Sequence, residues 1–347
     1  MATYEHLYMR HNLDRTPGII PAYGCTSFSP DIICSGESPL ANFQDVLKTP
    51  ESYASCMVND TAGGKVNYYY VRCKNGSNQV QDSEVYLYFT PACNINWPSR
   101  WSKPEQMIHT DISPVGIIRN LAPGKVGVVQ RPFVWPIVPS PATNDHYCLI
   151  ARLTSGSDPN PVPSVETPLD MGSFLQRNLR FAQRNIVVIA GSGADKIMQL
   201  NLSVDTDLKS DTSSYTVTLE TVNLSGWDIE MSCSVADSDG KPIYIKRSNI
   251  YQDNQGFTST HRLEEGFHAL ATVLLYSNGK PIPSPAELQK RVHLKTGYGV
   301  SDRELVHARQ RNLLDSSYNR LVSGTLSRGS RQVENVVLIG DISMVVK

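Results

Sequence analysis

The chain has 347 residues, with 32 Lys and Arg against 33 Asp and Glu, and charged residues make up 19% of it. This balance provides no overall positive field that would attract nucleic acid or an anionic membrane. The 23 Gly, 22 Pro and 16 Tyr residues are typical of many short strands joined by tight turns, and they argue against a helical or doubly wound protein.

The cysteines and the N-terminus indicate a reducing compartment. The seven cysteines are odd in number and dispersed, and none forms a Cys-x-x-Cys pair. We therefore expect free, buried thiols rather than a disulfide framework. The first residues contain no apolar signal-peptide core, and no run approaches the roughly 18 apolar residues of a membrane span. These observations predict a protein that is cytoplasmic as synthesised and has no membrane span, with non-classical export left open.

Residues 1–60 are predicted to form an extended N-terminal arm, and residues 61–190 a first β-sandwich domain. Within the domain, Val66–Phe89 carries two aromatic and β-branched runs around Asn75-Gly76, which predicts a strand, a turn and a returning strand. The proline-rich connections Pro91–Pro114 and Asp158–Pro168 exceed the usual loop length, and such loops often carry function. The expected strands are Val66–Cys73, Glu84–Phe89, Val115–Ile118, Gly127–Val129, His146–Leu153 and Asn185–Ala190.

The segment Ile189–Asp195 is predicted to be a linker to a second domain at 196–280. Its Gly-Ser-Gly does not fit a dinucleotide-binding loop, because Lys196 occupies the third small-residue position and a strand-like segment follows. Regularly spaced alternating segments then favour an immunoglobulin-like antiparallel sandwich. These segments are Met198–Val204, Tyr215–Val222, Trp227–Val235, Pro242–Lys246, Gly256–Arg262 and His268–Tyr276.

Residues 286–347 are predicted to form a C-terminal extension that contains helices. Ala286–Leu294 and Ser301–Leu321 have helix-like patterns, and Ser301 with Glu304 forms a capping box. A helix of this length is marginal alone, so the extension is expected either to mediate assembly or to fold back onto the second domain together with a terminal strand run, Glu334–Val346. The assembly face would consist of Val306, Leu313, Leu314, Tyr318 and Leu321.

The residue patterns contain no specific catalytic or metal-binding signature. There is no nucleophile elbow and no P-loop. The Asp237–Gly240 turn resembles part of a calcium loop, but Val235 and Lys246 stand where that loop needs carboxylates. His109 with Asp111, and His146 with Cys148, share a strand face but lack further ligands. We therefore expect no enzyme, no cofactor and no metal site.

Loop aromatic residues of the first domain provide the best candidate binding surface. Three of the four tryptophans lie in or beside loops, in Asn96–Trp101 and Phe133–Pro136. Loop tryptophans can stack on sugar rings or anchor a partner protein, whereas the alternative is that they plug the ends of the sandwich. The predicted binding residues are Trp97, Arg100, Trp101, Phe133 and Trp135.

One family resemblance follows from the strands of the first domain. The segments Tyr70-Val-Arg-Cys-Lys-Asn-Gly76 and Glu84-Val-Tyr-Leu-Tyr-Phe89 resemble the bacterial cell-adhesion-related domain CARDB, an immunoglobulin-like module with a V-x-V-x-N-x-G-like strand end. The sequence departs from this motif because Cys73 takes one apolar position and Gly76 directly follows Asn75. The flanking segments Ser29–Ile33 and His146–Arg152 resemble those around such modules, so the resemblance covers about a third of the chain. It implies a binding or structural module and transfers no catalytic residue.

Together these observations favour a non-enzymatic bacterial structural or interaction protein. The alternatives are a toxin or effector component exported without a classical signal, and a carbohydrate-binding module. Expected partners are proteins, including further copies of the chain, or a glycan. Residues 286–347 contain ten Lys and Arg and six Asp and Glu, a net charge of +4. A small excess of this kind is typical of a solvated face, so we do not expect nucleic acid as a partner.

Overall fold

The computed structural model describes residues 2–13, 16–22, 24–57, 61–91, 95–139, 147–155, 158–165, 167–185, 188–189, 195–204, 213–264, 266–280, 291–310 and 335–346. These residues form a mostly β structure with several antiparallel sheets and short helices, which confirms the predicted fold class. None of the described helices is long and apolar enough to cross a membrane.

The strands of the first half are β1 (Ala2–Thr3), β2 (Leu7–Tyr8), β3 (Ile19–Ile20), β4 (Ile32–Gly36), β5 (Asn67–Asn75), β6 (Gln81–Pro91), β7 (Met107–Thr110), β8 (Gly116–Leu121), β9 (Val126–Val128), β10 (Phe133–Trp135), β11 (Tyr147–Leu153) and β12 (Phe181–Asn185). The helices there are α1 (Phe43–Val46), α2 (Pro50–Tyr53), α3 (Pro98–Trp101), α4 (Pro168–Arg177) and a 3₁₀ turn at Pro104–Gln106. The second half contains β13 (Val188–Ile189), β14 (Asp195–Val204), β15 (Ser213–Val222), β16 (Asp228–Ala236), β17 (Pro242–Asn249), β18 (Gln255–Leu263), β19 (Phe267–Tyr276), β20 (Arg291–Val300), α5 (Asp302–Gln310) and β21 (Asn335–Val346).

Two long strands, β5 and β6, organise a ten-stranded sheet in the first half. β5 pairs with β9 and β10 and with β2 and β4 of the arm, while β6 pairs with β7, β8 and β11. β12 completes the sheet beside β11. The arm therefore lies against the sheet and contributes two strands to it. The β-branched and aromatic residues of β5 are buried in the core of this sheet, as their preference for pleated surfaces suggests.

The prediction of a turn at Asn75-Gly76 followed by a returning strand is only half right. Both strands form, but β5 and β6 do not pair with each other, and neither residue has a positive φ. The Asn75 backbone instead bonds to the turn between β8 and β9, with its N–H donating to the Lys125 carbonyl at 3.0 Å. Gly76 passes so close to the N-terminal strand that a Cβ atom there would overlap the carbonyl oxygen of Tyr4.

The second half contains a four-stranded sheet, β14-β19-β16-β17, and a five-stranded sheet, β13-β21-β20-β15-β18. All six predicted strands of this region form, and Trp227–Lys246 contains the expected hairpin of β16 and β17. Apolar side chains from both sheets, such as Leu219 and Leu294 on one and Ile229 and Val273 on the other, share one buried core. Each of them stabilises the fold by about 1.5–3 kcal/mol relative to an exposed side chain.

The prediction of a helix at Ala286–Leu294 is wrong for residues 291–294, the part of this segment that the structure describes. Residues 291–294 begin β20, which pairs with β15 on one side and β21 on the other. Alternation places Val292 and Leu294 in the core, and two flanking strands satisfy the backbone, which outweighs local helix preference. β20 and β21 therefore both belong to the five-stranded sheet. The fold-back alternative anticipated this placement for the terminal run that forms β21, but not for β20, whose first residues were predicted as a helix.

The capping box at the start of α5 is confirmed. The Ser301 N–H donates to the Glu304 carboxylate at 2.9 Å, and the Glu304 N–H donates to the Ser301 hydroxyl at 3.3 Å. The helix is described as far as Gln310. The remainder of the predicted helix, to Leu321, lies outside the described residues.

Helix α4 was not anticipated, because it begins at the end of a proline-rich connection. Thr167 caps it by accepting a hydrogen bond from the Asp170 N–H at 3.1 Å, and Pro168 occupies its first turn. The helix packs on β21 and buries Met171 and Leu175 in the core that the four-stranded and five-stranded sheets share. The close approach requires Gly172, where a Cβ atom would overlap Val337.

Replacing Gly172 with Val is expected to lower the free energy of unfolding by at least about 2 kcal/mol, because the added carbons force α4 away from β21. The urea midpoint measures this change. Ser173→Val is the matched control, since it introduces the same residue in the same helix one position away from this contact. Equal midpoints for the two variants would contradict the close contact between α4 and β21.

Candidate functional site

The structure buries the aromatic residues that were predicted to bind a partner. Trp97 is 5% exposed, Trp101 1%, Phe133 0% and Trp135 7%. They contribute to three different hydrophobic clusters, so they do not share an exposed surface. Arg100 is half-buried on α3. The tryptophans are thus packed inside the protein, and Trp135 lies on β10, between β7 and β5 in the ten-stranded sheet.

The predicted assembly face is only partly described. Val306 is 52% exposed on α5, while its neighbours Leu305 and Ala308 are buried in the core. The other four residues of the predicted face, Leu313, Leu314, Tyr318 and Leu321, lie outside the described residues.

Two of the acidic residues considered as metal ligands have protein partners. Asp111 forms an ion pair with Arg131 at 2.7 Å, and Asp237 pairs with His261 at 3.1 Å. His146 lies outside the described residues. Within the described ranges, no three His, Cys, Asp or Glu side chains converge in a way that could hold a metal ion.

A buried polar junction lies where the arm meets the five-stranded sheet. Because Val292 and Leu294 point into the core, strand alternation places His293 and Lys295 on the opposite face of β20. The register with β21 sets Ser343 opposite His293 and Asp341 opposite Lys295. We call the contacts between these strands and arm residues Cys25, Thr26 and Ser27 the arm junction.

The Ser343 hydroxyl is the centre of the arm junction. It lies 2.6 Å from the Cys25 Sγ, 2.8 Å from the Ser27 Oγ and 2.7 Å from the His293 Nδ1. Nearby, the Thr26 N–H and hydroxyl donate to the two carboxylate oxygens of Asp341, at 2.7 and 3.0 Å. All of these side chains are buried.

A thiol, two hydroxyls and an imidazole within hydrogen-bond distance are the residue types of a nucleophilic site. Here, however, burial raises the pKa of the Cys25 thiol and lowers the pKa of His293 well below its ordinary value. The thiol is therefore protonated and the imidazole neutral at pH 7, and solvent does not reach them. The arm junction holds the arm against the sheet. The sequence analysis did not predict the arm junction. The alternation of Val292, His293 and Leu294 could have indicated a strand here, with His293 on the face opposite the core.

A second buried polar centre fixes the arm to β5. The Asp31 carboxylate accepts from the Arg10 Nε at 3.1 Å and the Arg72 Nε at 2.9 Å, and all three side chains are buried. Arg72 also donates to the Leu47 and Pro30 carbonyls. The Tyr53 ring lies 3.4 Å from the Arg10 guanidinium carbon, and burial raises the pKa of its hydroxyl. Shared hydrogen bonds of this kind offset the cost of burying charge.

The arm also forms an open pocket of about 440 Å³, within the usual size range of ligand sites. Its lining is mainly apolar, and we call it the arm pocket. His11 lies in its wall and makes a hydrogen bond to the Phe181 carbonyl through Nε2 at 3.1 Å. Burial lowers the pKa of His11. The other lining residues are Met9, Arg10, Asn12, Thr16, Pro17, Gly18, Ile19, Pro21, Ala22 and Leu179.

Comparison with known proteins provides no family for the chain. No protein-family model matches it, and no curated protein matches it. Among solved structures, it is similar to the secreted serine protease VesC from Vibrio cholerae, with 9% identity, a TM-score of 0.18, and coverage of 63% of this chain and 45% of the protease. The chain thus spans less than half of that protein.

Two further solved structures show similarity at the same level. An anti-sigma factor domain-containing protein has 10% identity and a TM-score of 0.21, with 87% of this chain and 94% of that chain covered. The isomalto-dextranase of Arthrobacter globiformis T6 has 11% identity and a TM-score of 0.19, with 67% and 36% covered. Similarity this low assigns neither a family nor an activity to the chain.

Proposed function

We propose that the chain is a non-enzymatic structural or protein-interaction protein, of the bacterial kind that the resemblance to CARDB modules implies. The arm junction carries this proposal. It contains catalytic residue types, yet these side chains are buried and hydrogen-bonded to one another, and they join the arm to the sheets. Residues that could act as nucleophile and base thus serve to hold the structure together.

The arm pocket is the surface that we propose for a partner protein. Apolar pockets of this size can receive anchoring side chains, and such anchors dominate the affinity of many interfaces. The loop tryptophans do not support a carbohydrate-binding function, because their rings are buried. Self-association through α5 is a further proposed route to assembly, and Val306 is the exposed residue of that face within the described residues.

Introducing a charge into the arm pocket is expected to abolish partner binding and leave the fold intact. Thr16 lines the pocket and is exposed, so Thr16→Arg places a guanidinium in the apolar site with little effect on the core. Cross-linking followed by pull-down from the source cell compares the partners of this variant with those of the unmodified chain.

Thr260→Arg is the matched control, because Thr260 is an exposed threonine on β18, outside the arm pocket. A partner retained by Thr16→Arg would disprove the pocket assignment. A full chain that stays monomeric in light scattering and captures no specific partner would disprove the interaction function itself.

A further inference from the structure

We propose that the arm junction is an acid-sensitive latch, which opens when His293 becomes protonated. The latch connects arm residues 25–27 to β20 and β21. Its opening would separate Thr26 and Ser27 from Asp341 and Ser343, while the cores of the two halves stay folded.

The hydrogen bonds at Ser343 fit a neutral His293. A serine hydroxyl has one proton to donate and two lone pairs to accept with. When it donates to the His293 Nδ1, it can accept from both Cys25 and Ser27, and the three contacts are satisfied. A protonated Nδ1 becomes a third donor for two lone pairs. One contact to the arm must then break or reverse.

The charges around His293 oppose its protonation. Burial lowers the pKa of His293 most, and the positive charges of Lys295 and Arg291, which flank it on β20, lower it further. Glu220 lies opposite on β15, but its carboxylate forms an ion pair with Lys295. On β21 the Asp341 carboxylate accepts both hydrogen bonds from Thr26. From β12, Arg184 adds positive charge beside the Phe28 ring, which Arg291 also contacts.

His11 is a second buried imidazole of the arm, but its hydrogen bond goes to β12 and not to β20 or β21. Its Nε2 bonds to the Phe181 carbonyl, and its Nδ1 has no hydrogen-bond partner within the described structure. The carboxylates of Asp31 and Asp341 favour the charged form, and Arg10 beside it is bound to Asp31. Burial outweighs these effects, so the pKa of His11 lies below its ordinary value.

The lowered pKa of His293 determines the direction of the pH dependence. His293 has a lowered pKa in the closed state and recovers a pKa of about 6.5 when exposed, so the open state binds more protons. The closed state is therefore fully stable above about pH 6.5 and loses stability as the pH falls below it. Each pH unit below 6.5 raises the ratio of open to closed molecules about tenfold.

Labelling of Cys25 tests the latch, because its thiol is buried against Ser343 and opening would expose it. The full chain is pulsed with 4,4′-dithiodipyridine at pH 7.5 and 5.5, and labelled peptides are quantified by mass spectrometry against the unfolded chain at each pH. Protection of Cys25 is expected to fall about tenfold at pH 5.5. Cys73, buried in β5, reports global unfolding and is expected to stay protected.

His293→Asn keeps a hydrogen-bonding group near the Nδ1 position but cannot become charged, so the loss of Cys25 protection at pH 5.5 should disappear. His268→Asn, at an exposed site on β19, is the control and should match the unmodified chain. Constant protection of Cys25, parallel labelling of Cys73, or an unchanged response in His293→Asn would each overturn the proposal. Histidine NMR of the unmodified chain provides a test that needs no variant: titration of His293 near pH 6.5 with Cys25 still protected would also overturn it.

Discussion

Replacing Trp101 with Ala is expected to lower the free energy of unfolding by about 3–5 kcal/mol, as is usual for a large buried aromatic residue. Trp101 is 1% exposed and packs 5.3 Å from the Tyr88 ring and 6.0 Å from the Phe181 ring, centroid to centroid. Its Nε1 donates to the Asn96 carbonyl at 2.9 Å. The truncation would therefore leave both a cavity and an unpaired buried carbonyl.

Urea unfolding followed by circular dichroism measures the effect. Tyr251→Ala is the control, because Tyr251 is 77% exposed and its loss should change stability by less than about 0.5 kcal/mol. The result also distinguishes the two roles considered for the loop tryptophans. Truncating a surface residue that binds a partner would leave the free energy of unfolding unchanged and reduce affinity. Truncating a residue packed in the core would cause the large loss of stability expected here.

Replacing Asp31 with Asn is expected to cost about 3–5 kcal/mol, because it leaves two buried guanidinium groups without their counter-charge. Asn keeps the size of the side chain, so that the loss reports charge and hydrogen bonding rather than volume. Arg10 and Arg72 are both buried around this carboxylate, and the ion pair holds the arm to β5. The arm should consequently become sensitive to proteases under conditions in which the unmodified chain resists them.

Asp111→Asn provides the control, since Asp111 pairs with Arg131 at a site where both side chains are half exposed to solvent. A surface pair of this kind contributes about 0–1 kcal/mol. Equal midpoints for the two variants in urea would mean that Asp31 does not anchor the arm. A large loss at Asp31 alone would agree with the buried charge centre.

Local sequence patterns determined most of the strands and the start of one helix. The alternation in Tyr215–Val222 and His268–Tyr276 predicted β15 and β19, which begin no more than two residues earlier and end at the same residues. A period of two is sufficient here because one face of each strand lies in a common core. The Ser301 and Glu304 capping box likewise set the first turn of α5, since its hydrogen bonds are local.

Patterns of neighbouring residues did not determine the arm junction or the buried charge centre. Asp31 meets Arg72 across 41 positions, and Cys25 meets Ser343 across 318. A buried aspartate and an exposed one look alike in a sequence, because their burial depends on segments far along the chain. The same holds for Trp101, which sits in a loop sequence yet is covered by residues of β6 and β12.

The sequence alone determined that this protein is mostly β, where most of its strands lie and how α5 begins, because backbone pleating and capping are local properties. Only the tertiary structure decided which strands pair, that Arg291–Val300 is a strand, and that the loop tryptophans are buried. β5 and β6 show why: they follow each other in the chain, yet contacts with β2, β4, β9 and β10 satisfy β5 instead. Strand partners and burial are set by the combined energy of contacts between distant segments, which no local pattern contains.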